Sequence, residues 1–220
     1  KAGQFFLGVG RLNQFHSHDW PFTSAPLVQS LFFSDEAVTD TGFEVGHLID
    51  TAVPIDVVAG VTNGWNYGHS HTSGRRPLAA THYLHPSFFF DFGEYRGLLI
   101  GLNYIGRTDA DSVQMRITGI DITYKNKGTS GKILETLVQG EFYHRLRSSS
   151  SIPAEEDLGG YLFGQTSLGD EGWFAGLRAD AYTNLTLTSG NGERRSNLNF
   201  ALVPVVSYKA SEFSTFRVSY

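Results

Sequence analysis

Apolar and polar residues alternate with a period of two along most of this chain, in stretches joined by connections that run long, then short. The alternation is clearest at 172–184, where Trp173, Ala175, Leu177, Ala179 and Ala181 share one face and Arg178, Asp180 and Tyr182 share the other. It returns at 198–208, with Leu198, Phe200, Leu202, Pro204, Val206 and Tyr208 against Asn199, Ala201, Val203 and Ser207. Stretch 96–105 sets Leu98, Ile100, Leu102 and Tyr104 against Gly97, Gly101 and Asn103. Stretch 132–144 sets Leu134, Thr136, Val138, Gly140 and Phe142 against Glu135, Gln139, Glu141 and Tyr143. Successive side chains of a strand point to opposite faces, so each stretch reads as a β-strand with one apolar face. Eleven strands are predicted, at 3–10, 39–49, 54–62, 86–93, 96–105, 113–125, 132–144, 158–168, 172–184, 198–208 and 213–220.

Short links fall at 50–53, 94–95, 126–131, 169–171 and 209–212, and longer ones at 11–38, 63–85, 106–112, 145–157 and 185–197. Tight turns at one end and long loops at the other are the pattern of an antiparallel transmembrane β-barrel. Its strands need only about 9–11 tilted residues to cross a bilayer. A soluble antiparallel sheet alternates in the same way, but two features favour the membrane. Ionised residues sit inside strands on the polar face (Arg116, Asp121, Glu135, Glu141, Arg178, Asp180), as a wet lumen requires. Aromatic residues gather near strand ends (Tyr104, Tyr124, Phe142, Trp173, Tyr208, Tyr220), as interfacial girdles do. No apolar run is long enough for a membrane-spanning helix.

Two places disturb the rhythm. In 113–125, Val113, Met115 and Ile117 occupy one face, whereas Ile120, Ile122 and Tyr124 occupy the other; a β-bulge is predicted near 118–119. Pro204 removes a ladder donor, which predicts a bulge or an unpaired position there. Strand parity carries a further expectation. The first and eleventh strands run in the same direction, and bacterial single-chain barrels have even strand numbers. At least one more strand is therefore expected after Tyr220, making residues 1–220 part of a single larger barrel domain, with no plug domain among them.

Composition narrows the partners. A formal net charge of −5 argues against nucleic acid. The absence of cysteine is compatible with an oxidising compartment. No Gly-x-Ser-x-Gly, His-Glu-x-x-His or phosphate-cradling loop is present, so no enzyme activity is expected.

Six of the eight histidines fall in the first two long connections: His16-Ser17-His18-Asp19, His69-Ser70-His71 and His82-Tyr83-Leu84-His85. Paired imidazoles in irregular chain converge readily on one cation, and imidazole suits zinc, copper or nickel. The candidate metal ligands are His16, His18, Asp19, His69, His71, His82 and His85; solvated loop histidines are the alternative. His47 and His144 read as interfacial or lumen residues. No cofactor is required, and zinc is the candidate metal.

The first long connection is too apolar to stand in water, with Trp20, Pro21, Phe22, Pro26, Leu27, Val28, Phe32 and Phe33. It is expected either to fold into the barrel mouth or to clamp over the rim or a neighbouring subunit. In the first case Arg11, Asp35 and Glu36 line the pore with Arg116, Glu135, Glu141, Arg178 and Asp180, where they select ions. Arg75, Arg76, Arg145, Arg147, Arg194 and Arg195 are placed in loops or at strand ends, where they either form a cationic ring that binds anions or, as the favoured reading, face lipopolysaccharide phosphates or solvent. Asp109, Asp111, Glu155, Glu156 and Asp157 read as solvated acidic clusters, and Ser148–Ser151 as a loop tip.

The stretches Gly10-Arg11-Leu12-Asn13, His16-Ser17-His18-Asp19-Trp20-Pro21-Phe22, Pro26-Leu27-Val28 and Asp40-Thr41-Gly42 resemble a proteobacterial outer-membrane family labelled zinc-regulated, TonB-dependent receptors. They are also similar to phosphate-selective porins. The resemblance covers the first third of the chain. It implies an outer-membrane barrel in a Gram-negative bacterium and a part in zinc uptake. His16, His18 and Asp19 match the family's loop motif; metal binding by them is inferred from residue type. A TonB-dependent receptor also needs a plug and a TonB box, which these residues lack, so TonB is a partner only if a plug lies upstream. The expectation is a porin-like channel for small solutes or ions. Its partners are outer-membrane lipid, lipopolysaccharide, the solute or metal ion, and other copies of the chain in a homo-oligomer. The alternatives are a metal-binding surface protein or the barrel part of a receptor.

Overall fold

The computed structural model describes residues 1–64, 79–93, 95–109, 112–127, 135–150, 154–169, 172–186, 197–211 and 214–220. The chain is all-β. Eleven strands form one antiparallel sheet in which each pairs with its neighbours in sequence: β1 (Ala2–Phe6), β2 (Thr39–Ile49), β3 (Ile55–Thr62), β4 (Ala79–Asp91), β5 (Arg96–Thr108), β6 (Gln114–Asn126), β7 (Thr136–Ser148), β8 (Glu155–Ser167), β9 (Trp173–Asn184), β10 (Asn197–Ser211) and β11 (Ser214–Ser219). The lone α-helix among the described residues, α1 (Leu27–Phe32), lies in the 7–38 connection. No described helix is long and apolar enough to cross a membrane.

Strand number and order follow the local pattern, but several boundaries do not. β1 stops at Phe6 because Leu7 and Val9 turn away into the core. β4 starts at Ala79 rather than 86, so His82 and His85 belong to a strand. The alternation of link lengths fails in the middle, where 109–113 is the shorter connection and 127–135 the longer.

No bulge interrupts β6. Its register runs unbroken from Gln114 to Asn126 against both β5 and β7. Met115 and Ile117 do share the face of Asp121 and Thr123, and they are buried there by the 7–38 segment. The phase break records where that segment lands. The register shifts instead lie between Ala79 and His82 and between Lys209 and Ser211. Neither a bulge nor an unpaired position occurs at Pro204: it stays in register with Leu177 of β9, and its carbonyl accepts from Tyr220 N at 3.2 Å, so its donorless nitrogen faces the β11 side and spares the β9 ladder.

The 7–38 segment, hereafter the strap, lies on one face of the sheet. Its Leu7, Val9, Leu12, Trp20, Phe22, Val28, Phe32 and Phe33 pack with Tyr83, Ile105, Met115, Ile117, Tyr143, Tyr161, Phe163 and Val205 of the strands. The sheet curls about it. Arg217 of β11 lines the same pocket, about 190 Å³, as Lys125 of β6 and Leu137 and Gln139 of β7. On a flat sheet β7 and β11 stand four strand spacings apart, about 19 Å. Among the described residues no ladder joins β1 to β11, the two edges of the sheet.

Candidate functional site

The two faces of the sheet differ in chemistry. The strap-covered face carries Glu44, His85, Asn103, Asp121, Gln139, Glu141, Arg145, Asp157, Arg178 and Asp180, all buried. The bare face carries Val45, Leu84, Leu102, Phe142, Leu162, Leu177, Phe200, Leu202 and Val218, all exposed. Exposure reaches 72% at Phe43 and 70% at Leu198, against 2% at Glu141 and Arg178 and 1% at Asp180. This inverts the usual soluble-protein distribution, in which large apolar side chains are covered and charges are wetted.

The covered polar groups form linked sets. Tyr83 reaches across β3, over Gly60, to donate to Glu44 Oε2 at 2.7 Å. His85 Nε2 and Asp121 Oδ2 lie 3.0 Å apart over Gly101, and Asn103 donates to the same oxygen at 2.7 Å. Glu141 accepts from Tyr143 at 2.6 Å and from Tyr161 at 2.9 Å. Arg145 is ion-paired with Asp157 at 2.8 Å, and Arg178 with Asp180 at 2.8 Å. Ionic groups taken out of water persist only when so paired.

The strap is held through its backbone. Gly8 N donates to Glu44, Gly10 N to Asn103, Leu12 N to Glu141 and Leu27 N to Asp180. In the other direction Arg145 donates to Leu31 O at 2.6 Å and Arg178 to Ser24 O at 2.5 Å. Each guanidinium also lies over a strap ring, Arg145 at 4.3 Å from Phe32 and Arg178 at 4.4 Å from Phe22. Gly10 is required where the strap passes closest to the wall. Its φ is +59°, and a Cβ there would meet Tyr143 Oη at 2.1 Å. The connection packs against one face of the sheet.

The candidate pore-lining residues divide. Glu141, Arg178 and Asp180 do lie on the covered face, but they bind the strap and not open water. Arg11 also lies there; burial pushes its guanidinium pKa down, against the pull of Asp121, Tyr161 and Glu141. Glu135 is exposed just before β7, on the parity of the covered face. Asp35 and Glu36 are exposed between α1 and β2. Arg116 is a correction: it is exposed and shares the bare face with Ile120, because the phase of β6 is continuous. Arg145 and Asp157, expected in solvated loops, are strand residues buried against each other. Phe142 stands midway along β7, away from its ends.

The candidate metal ligands also divide. His16 and His18 are exposed, with rings stacked 5.1 Å apart, and His18 lies 3.6 Å from Asp19. His82 and His85 cannot share a cation, because three residues along a strand place them on opposite faces. His82 is exposed beside Tyr104, whereas His85 is buried on Asp121. His69 and His71 lie outside the described residues, as do Arg75, Arg76, Arg194, Arg195 and Asp111. Among the described residues no three His, Cys, Asp or Glu side chains converge as a metal site. His144, expected at an interface or in a lumen, pairs with Glu156 at 2.7 Å.

No protein-family model and no solved structure matches the chain. An uncharacterised protein of Aquifex aeolicus (strain VF5) is 29% identical over 177 residues, 70% of this chain and 37% of that protein. The chain thus spans little more than a third of the relative it matches.

Proposed function

We propose that this chain is the wall of an outer-membrane β-barrel that passes small solutes or ions, narrowed from within by the strap. One observation carries the reading: ionised side chains are covered and bonded while large apolar ones stand bare on the opposite face of a curled meander. Water penalises that bare face, whereas hydrocarbon matches it. The aromatic pair Trp173 and Tyr208, with ring centroids 4.6 Å apart at the short-link end of β9 and β10, suits a membrane interface.

A planar bilayer tests it. The full-length protein should insert from detergent and give discrete conductance steps. A folded barrel without steps removes the pore, and a protein that stays monomeric in water without detergent removes the membrane. Steps without an energised inner-membrane partner favour a porin over the barrel part of a TonB-dependent receptor.

Zinc linkage is a second reading, resting on the stacked, exposed His16 and His18 beside Asp19. Two neighbouring imidazoles are suitable first ligands for zinc, with the remaining positions left to water. They would supply surface capture ahead of transport.

A further inference from the structure

The strap leaves one part of its face uncovered. Between β4, β5 and β6, at their short-link end, lies a pocket of about 510 Å³ lined by Phe89, Leu99, Tyr95, Thr123 and Asp91, with Arg11 of the strap beside it. Arg96, Lys125 and Lys127 complete the charged lining. Phe89 lies over Gly97 and stays 42% exposed on a face where other aromatic side chains, such as Tyr83, Tyr143 and Phe163, are buried.

The charges here are arranged unlike those elsewhere on the face. Arg145 and Arg178 each have a carboxylate partner. No ion pair is formed by Arg11, Arg96, Lys125 or Lys127 among the described residues. Arg11 and Lys125 are near enough to repel each other and Lys127 adds to the repulsion, while the exposed Glu135 offsets part of it. Asp91, which caps Gly93 N at 2.8 Å, is the carboxylate of the lining. Asp121 and Glu141, which attract Arg11, are already engaged by His85, Asn103, Tyr143, Tyr161 and the strap. The adjoining smaller pocket shares Arg11 and Lys125 and adds Arg217, whose Nε is buried without a hydrogen-bond partner.

We propose that this pocket binds an organic anion, its carboxylate between Arg11 and Lys125 and its apolar body on Phe89, Leu99 and Tyr95. Four lining cations against one lining carboxylate, with Glu135 close enough to Lys125 to offset only part of the excess, call for a negative ligand. The aromatic and aliphatic floor discriminates against a fully hydrated inorganic ion, which gains nothing from covering Phe89. Arg11 supplies a planar, paired-donor contact to carboxylate, and the lysines at the mouth supply attraction at a distance. The inference deepens the pore reading by naming a solute class, and rests on it for access alone.

Calorimetric titration of the full-length protein in detergent micelles with benzoate, benzylammonium and inorganic phosphate tests the assignment. Benzoate should bind at least about tenfold more tightly than either of the others, since a charged hydrogen bond contributes roughly that factor or more. Arg11→Gln and Lys125→Gln should each weaken benzoate about tenfold, and Lys125→Arg should restore it. Should Arg11→Gln fail to fold, the paired change of Arg96 and Lys127 to Gln, both exposed at the mouth, serves instead. Benzoate binding no tighter than phosphate overturns the apolar contribution. Equal binding of benzylammonium overturns the charge, and wild-type affinity in the variants overturns the site. Binding in micelles does not require conduction, so a protein that holds benzoate yet passes no current sinks the pore and leaves the pocket standing.

Discussion

Leu12 N donates to Glu141 Oε1 at 2.9 Å, joining positions 129 residues apart and tying the strap to the middle of the wall. The same carboxylate accepts from Tyr143 and Tyr161, so one side chain satisfies a backbone donor and two phenols. Glu141→Ala would orphan all three in a covered site. The expected loss is about 2–4 kcal/mol, read as a lower denaturation midpoint in detergent. Faster proteolytic cutting within 7–38 should accompany it. An unchanged midpoint and unchanged cutting would mean that Glu141 does not hold the strap.

Gly10 provides a second test of the same contact. Its φ of +59° and the 2.1 Å approach of a built Cβ to Tyr143 Oη leave no room for a side chain. Gly10→Ala should cost about 1–3 kcal/mol. Gly164→Ala, where nothing lies within 4 Å of the added carbon, should stay within about 0.5 kcal/mol. Equal effects of the two would contradict the close passage.

The solvent of the bare face can be read from one substitution. Leu202 is 55% exposed in β10. Leu202→Arg in water would change stability by no more than about 0.5 kcal/mol. In a bilayer the same change near the midplane costs about 2–4 kcal/mol. The larger loss is expected in lipid vesicles, and a neutral result there would argue that lipid does not bathe this face.

The histidines separate by geometry. Changing His16 and His18 together to Ala should weaken zinc binding at the strap, measured by competition with a chromogenic chelator. Changing His82 to Ala should leave zinc affinity unaltered, since that ring stands on the bare face. His85→Ala should act on stability instead, because it strips Asp121 of a partner 3.0 Å away in a buried site. A drop in zinc affinity on losing His82 would reinstate the His82–His85 pair as ligands.

What was legible along the chain was whatever depends on nearest neighbours. Period-two alternation is a property of a strand itself, so eleven strands and the apolar side of those with the clearest rhythm could be read from residues such as Leu177 and Arg178 without knowing their surroundings. The apolar content of 7–38 likewise announced that it must be covered. Two of the errors come from partners distant in sequence. Met115 and Ile117 looked like a slipped phase because the segment covering them lies about a hundred residues earlier. Asp157 looked solvated because Arg145, Tyr182 and Asn184 come to it from other strands. His82 and His85 fail as a pair for a local reason: β4 begins at Ala79, and extended chain sends residues three apart to opposite faces.

Sequence alone therefore determined the alternating, two-faced character of the sheet, since side-chain direction in an extended chain reverses at every residue. Only the tertiary structure decided which polar residues are sealed under the strap, which cations lack an ion pair among the described residues, and that Arg11, Lys125 and Arg217 meet around adjoining pockets. Those outcomes depend on where a segment near the start of the chain comes to rest on strands far along it. No local periodicity records that position; the curl of the sheet and the paired buried charges fix it.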